Sequence, residues 1–206
     1  MNGKYKQYIF GWLAVACLML LSGAVMAQQE GETPESMTPE QAAMMEAWTE
    51  AMTPGPEHER LAEAAGEWQA EVKWWMEPGS EPSVSESSVT RSMSLEGRVL
   101  VEEWQGEMMG QPFIGHGRTG YDNVTGKYWS TWTDNMSTGL MMFEGRYDAE
   151  TGKYTFTGSY TDPMSGDVVE SRSVSWSDES GREIMEMYET RGGREIKTME
   201  MTLVRR

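Results

Sequence analysis

The stretch YDNVTGKY, residues 121–128, returns almost unchanged as YDAETGKY at 147–154, and its reading decides the fold. In both copies an Asp opens, Thr-Gly-Lys closes, and strand-forming residues flank. An Asp at the first turn position and a Gly where the backbone turns left-handed are the chemistry of a hairpin. Looser versions follow as DPMSGD at 162–167 and DESGR at 178–182, with Asp134-Asn135 before Gly139 and Arg191-Gly192-Gly193 as further turns. Upstream, Gly110, Gly97 and Gly79 continue the series. Nine turns separate ten strands of about eight to ten residues, each pairing antiparallel with the next.

Ten such strands in an open sheet would leave two bare edges, and closing them removes both. The fold expected is therefore all-β, a ten-stranded antiparallel up-and-down barrel over residues 66–206. Two turn steps bring the chain back to the same end, so the twin motif marks two turns on one rim rather than a duplicated binding site. Alternation supports a one-sided core: Trp68, Ala70, Val72, Trp74 and Met76 interleave with Gln69, Glu71 and Lys73, and Tyr154, Phe156 and Tyr160 interleave with Thr155, Thr157 and Ser159. Val99-Leu100-Val101 and Leu140-Met141-Met142-Phe143 are apolar on both faces.

The front of the chain has a different character. Lys4 and Lys6, the apolar run Ile9 to Leu21, and Val25-Met26-Ala27 read as a secretory signal peptide, residues 1–27, cut after Ala27. Cys17 inside that run leaves a lipidation site open as an alternative. Export, to a periplasm, is the expected localisation. Residues 28–37 are an acidic, disordered leader. Residues 38–65 hold two short helices. Thr38 with Gln41 has capping-box spacing, Met44, Met45, Trp48, Ala51 and Met52 share one face, and Leu61 and Ala65 mark a second helix stopped by Gly66.

Cleavage leaves no cysteine, so packing alone stabilises the fold. Loss of Lys4 and Lys6 takes the formal net charge from −16 to −18, which disfavours nucleic acid and a stable hold on anionic membrane.

Several separated motifs carry a resemblance. Gly66-Glu67-Trp68 opens strand one, and Arg205-Arg206 closes the last. This resembles the calycin barrels, lipocalins and fatty-acid-binding proteins, where an arginine near the end of the barrel covers the Trp. Here Arg205 or Arg206 is expected to reach Trp68 by a cation–π contact. GPEHERLAEAAGEW (55–68), WWMEPGSEP (74–82), GYD (120–122), YWSTWTD (128–134) and MEMTLVRR (199–206) look like the exported bacterial family called domain of unknown function 1579. That resemblance implies a lipocalin-like barrel and brings no catalytic set.

Since the helices precede strand one, they are expected to plug the end holding Trp68, Gly97, Gly126, Gly152 and Gly181. The opposite mouth gathers Met108, Met109, Met136 and Met164. The ligand-binding residues expected there are Trp74, Met76, Trp104, Met108, Phe113, Trp132, Asp134, Met142 and Tyr160, with Trp75 nearby. Thioethers and flat rings suit a small apolar or aromatic ligand. The same side chains could instead simply fill the barrel, as a structural or interaction module would require.

Other chemistry has less support. Met185-x-Met187 and Met199-x-Met201 raise copper(I), but no His-rich tract accompanies them. Haem would want a placed histidine, and the mature chain offers His58 on the plug helix and His116 on strand four. No cofactor or metal is expected. There is no Cys nucleophile, G-x-S-x-G or H-E-x-x-H, so an enzyme reading, of lyase or isomerase type, rests on lumen carboxylates among Glu86, Glu102, Asp134, Glu170 and Glu186. Ligand identity and oligomeric state lie beyond the sequence.

Overall fold

The structure, a computed structural model, describes residues 37–162 and 165–206. The signal segment, its cleavage site, the leader up to Ser36, and Met164 lie outside the described residues. By internal contacts the chain divides after Glu46, inside the first helix. That helix, α1, spans Pro39–Met52, and its start is capped as its spacing predicts: the Thr38 N–H donates to Gln41 Oε1 at 2.8 Å and the Gln41 N–H to Thr38 Oγ1 at 3.3 Å.

The second unit, Ala47–Arg206, contains α2 (Pro56–Ala62) and ten strands. These are β1 (Gly66–Trp74), β2 (Ser83–Ser94), β3 (Val99–Met108), β4 (Gln111–Asp122), β5 (Lys127–Asp134), β6 (Met141–Asp148), β7 (Lys153–Thr161), β8 (Val168–Ser177), β9 (Glu183–Arg191) and β10 (Arg194–Arg205). Each pairs antiparallel with its sequence neighbours, and β1 pairs with β10, so the sheet closes into a barrel. The turn glycines Gly79, Gly97, Gly110, Gly126, Gly152, Gly166, Gly181 and Gly193 all take positive φ. Gly139 does not. That turn is opened by Asp134, whose Oδ1 accepts the Met136 N–H at 2.9 Å, and held by Asn135, whose amide spans to Pro112 O at 2.9 Å.

The twin hairpins are built alike. In the first, the Gly126 N–H donates to Asp122 O at 2.8 Å and the Val124 N–H to Asp122 Oδ1 at 2.9 Å. In the second, the Gly152 N–H donates to Asp148 O at 2.8 Å and the Glu150 N–H to Asp148 Oδ1 at 2.9 Å. Strand register then puts Tyr121 opposite Tyr128 and Tyr147 opposite Tyr154, all four pointing into the barrel.

The seam of the barrel is fixed chemically as well as by register. Trp68 pairs with Arg205, Ala70 with Leu203 and Val72 with Met201. Arg205 lies over the Trp68 ring at 4.6 Å and donates to Ala65 O at 2.7 Å and Glu63 O at 2.6 Å. Of the two closing arginines it is Arg205 that covers Trp68. Arg206 runs outside, its N–H on Glu67 O at 2.9 Å and its guanidinium on the Gln69 side chain. Gly66 sits at φ 138°, where a Cβ would come within 2.8 Å of the Arg205 guanidinium, so the small residue is what lets the arginine fold down.

The helices part company in their burial. In α2, Leu61 and His58 are buried, and the His58 Nδ1 accepts the Gly55 N–H at 3.1 Å. In α1 no residue is buried, and Trp48 and Met52 remain more than half exposed. Within the barrel unit it is α2 that supplies helical residues buried against the strands, Leu61 packing with Leu100 and Tyr128. The end of α1 is tethered to the rim by polar contacts, with Asn123 donating to Glu50 O at 2.9 Å and Thr53 O at 2.8 Å and Arg98 to Met52 O at 2.7 Å.

Two outcomes follow. Arg205→Ala removes a cation–π contact and two charge-assisted hydrogen bonds, and is expected to cost about 2–3 kcal/mol in denaturant melts and to shift Trp68 emission. The turn carboxylates act through pH. Asp148 is held below the usual carboxylate range first by the Glu150 N–H and then by Thr151, and Asp122 first by the Thr125 hydroxyl and then by the Val124 N–H. A value lower folded than unfolded gives stabilisation that is present above the ordinary carboxylate range and lost as pH falls through the depressed value. Asp148→Ala should thus lower the thermal midpoint at neutral pH, by a margin that shrinks steadily below about pH 4.

Candidate functional site

Register sorts the expected ligand residues. Trp74, Trp104, Met108, Phe113, Trp132, Asp134 and Tyr160 all point into the barrel at the end away from α2. There they chiefly pack on one another. Trp104 and Phe113 are buried, Trp132 meets Trp104 edge-on at 5.9 Å and stacks on Phe113 at 6.3 Å, and Trp74 and Met108 close the cluster. Gly115 lets Trp132 lie against β4, since a Cβ there would sit 2.5 Å from the ring. Asp134 is both a turn residue and an anchor, its Oδ2 accepting the Trp132 Nε1–H at 2.8 Å.

The two M-x-M pairs also face inward and stand side by side, Met185 beside Met201 and Met187 beside Met199. They pack on the same apolar cluster, with Met199 2% exposed. Tyr160 donates to Glu189 at 2.8 Å, and Glu189 and Asp162 both receive Arg191. Burial first and Glu189 second push the Tyr160 phenol up to about 12. Two residues fall elsewhere. Met142 pairs with Thr131 and Ser159, which puts it on the outer face, 64% exposed, because one step along a strand reverses the side. There it borders an open trough of about 920 Å³ across the outside of β5–β10. Met76 lies past the end of β1 and is 69% exposed, a rim residue rather than a lining one.

Space inside the barrel is found at the other end. A chamber of about 520 Å³ lies beside α2, bordered by Arg60, Leu61, Trp68, Arg91, Glu102, Tyr147, Tyr154, Phe156, Ser175, Ser177, Glu183 and Arg205, among others. The helical end, expected to be plugged, thus borders a chamber. The reason is dimensional. Seven helical residues span about 10 Å, and α2 leans chiefly on β3 and β4 and reaches β6 through Arg60, which leaves the β8–β9 side uncovered. On that side the inward positions of β8 are Ser171, Ser173, Ser175 and Ser177, too small to fill the space.

One wall is aromatic. Tyr121 meets Tyr128 at 4.8 Å, Tyr128 meets Tyr154 at 5.2 Å, Tyr147 meets Tyr154 at 4.8 Å, and Phe156 stacks on Tyr154 at 6.3 Å. Burial, then Tyr128, pushes the Tyr154 phenol well above its ordinary value, so it stays a neutral donor. From α2, Arg60 lies 4.2 Å over Tyr147 and donates to Tyr128 Oη at 3.1 Å. The facing wall is ionic. Buried Arg91 reaches Glu102 through Nε at 2.7 Å and Glu183 through both Nη atoms at 2.6 and 3.0 Å, and lies 5.3 Å from the Trp68 ring centre. Burial alone would lower the basicity of Arg91, but Glu102 and then Glu183 reverse that and hold it above its ordinary value. Tying β2, β3 and β9 together, Arg91 is the residue whose loss should be felt most. Arg91→Met leaves two carboxylates facing each other and should cost about 3–5 kcal/mol in urea melts, while adding Glu102→Gln and Glu183→Gln should recover most of it.

Neither histidine adds a metal-binding position. His58 spends Nδ1 on Gly55 and meets Tyr121 edge-on at 5.9 Å, and His116 is exposed on the outer face. Among the described residues no group of three or more His, Cys, Asp or Glu side chains could hold a metal ion, and no helix is long and apolar enough to cross a membrane. The sequence reading missed Arg60, Arg91 and Glu183 as site residues, and with them Tyr147 and Tyr154. Signals were there, in the Tyr that begins and ends each repeat and in the alternate serines of SRSVSWS at 171–177.

A family model described as "Protein of unknown function (DUF1579)" matches residues 53–205. No curated protein matches the chain. Among solved structures, the crystal structure of Rv2717c from M. tuberculosis is similar at 12% identity, covering 75% of this chain and 99% of that one with a TM-score of 0.53, a likeness of fold alone.

Proposed function

The chain belongs to the family described as Protein of unknown function (DUF1579), and from its own geometry we propose that it is an exported binding barrel for a small planar aromatic ligand, held in the chamber beside α2. What carries this reading is the chamber itself. About 520 Å³ of space adjoins Tyr147, Tyr154 and Phe156, enough for a compact ring system and of the size that ligand sites usually have. Aromatic faces on one side and fixed polar groups on the other would orient a flat molecule rather than merely shelter it. The packed cluster of Trp104, Phe113, Trp132 and their methionine neighbours supports a filled, structural role for the opposite half of the barrel only. An enzymatic use of Glu102 and Glu183 has less support, since both carboxylates are engaged by Arg91.

The neutral fluorescent probe N-phenylnaphthylamine tests the proposal. It should give saturable enhancement with the mature protein. Ser175→Trp, which fills the chamber from β8, should abolish that signal without loss of the folded baseline, and Trp104→Leu at the other end should leave the affinity within about twofold. Absence of saturable binding, or equal binding by Ser175→Trp, overturns the chamber as the site.

A further inference from the structure

We propose that the chamber's ligand is an anion, a small aromatic carboxylate whose charged group is received by Arg60. The inference rests on the chamber being the binding site and concerns only what that site selects.

The argument starts from charge pairing. The chain has 33 Asp and Glu against 17 Lys and Arg, and eight of the fifteen described cations reach a carboxylate, so an unpaired cation counts here only for its place on the chamber wall. Lys73, Arg91, Arg98, Lys127, Arg172, Arg182, Arg191 and Lys197 are the eight. Arg60 reaches none among the described residues. It spends one N–H on Tyr128 Oη, and its plane lies over Tyr147. A guanidinium has five N–H donors in a planar fork that fits a carboxylate in bidentate fashion. Stacking on Tyr147 fixes the plane of that fork, so little side-chain freedom is lost when an anion arrives.

The surroundings reinforce this. Arg205, also on the chamber wall, gives its donors to main-chain carbonyls and carries its charge without an acid beside it. The acids on the wall are Glu63, Glu102 and Glu183. Arg91 already holds Glu102 and Glu183, and Glu63 is exposed at the rim. The chamber therefore presents as many arginines as acids, in a chain where acids outnumber bases about two to one. The hydrogen bond to Tyr128 also keeps Arg60 above its ordinary basicity, so its charge is constant across the working pH range. A partly enclosed site lined by rings lowers the local dielectric and strengthens the attraction to a bound anion. The ring of such a ligand would lie against Tyr154 and Phe156 while its carboxylate turned toward α2.

The experiment compares 2-naphthoate with its neutral isostere 2-naphthamide by calorimetry at pH 7 and low salt. The acid should bind about tenfold more tightly or better, and raising the salt should narrow the gap. Arg60→Gln should erase the preference by weakening naphthoate alone, and Arg60→Lys should restore part of it. The amide is the internal control for a folded chamber, since its affinity should be unchanged in both variants. Equal binding of acid and amide, or a preference that survives Arg60→Gln, overturns the anion inference and leaves the chamber reading standing. Binding of neither compound overturns both.

Discussion

The first and last strands of the barrel must meet, and everything else in the molecule depends on their doing so. Register alone would pair β1 with β10, but the contact that makes the seam specific is Arg205 folded over Trp68 and bonded to the chain just before β1. One guanidinium thereby joins the C-terminal strand, the first strand and the end of the plug helix. Cation–π attraction and two hydrogen bonds to carbonyls are each modest, but they act where an unpaired strand edge would otherwise be exposed. No cysteine remains beyond Cys17 to share the task.

Closure creates an interior, and the two ends of that interior are furnished differently. At one end large side chains from β1, β3, β4, β5, β9 and β10 interlock into a core. At the other, the twin hairpins contribute tyrosines, β8 contributes serines, and a short helix covers only part of the opening. The balance of large and small inward residues, strand by strand, decides where space is left. Arg91 sits between these regions, ion-paired with Glu102 and Glu183, so one wall of the chamber and the bracing of three strands are one feature.

Much of this was legible in the chain. Turn chemistry gave the number of strands and their antiparallel order, and the pairing of Trp68 with the final arginines followed from counting. Alternation put Trp68, Ala70, Val72 and Trp74 on one face of β1, and that face is the inner one. It failed at Met142, where two adjacent methionines offered no alternation to read, and at Met76, which lies just beyond the strand that its pattern seemed to continue. The position of the hollow was not legible, because it depends on which inward residues touch across the barrel. Arg91 and Glu183 lie ninety-two positions apart, and no local pattern links them. A bias toward large residues also played a part. Tryptophan and methionine drew attention to the filled end, whereas the alternate serines of β8 signalled the space.

The twin hairpins have one more consequence. In each, the turn and the inward aromatic pair belong to a single run of eight residues, so hinge and wall form one cassette. The pleat has a period of two, and a single inserted residue between the aromatic and the turn would rotate the ring from the interior to the solvent. Drift in loop length, harmless on most protein surfaces, is therefore constrained on this rim: the spacing of YD-x-x-TGKY is a measuring device whose error is read out in the shape of the cavity.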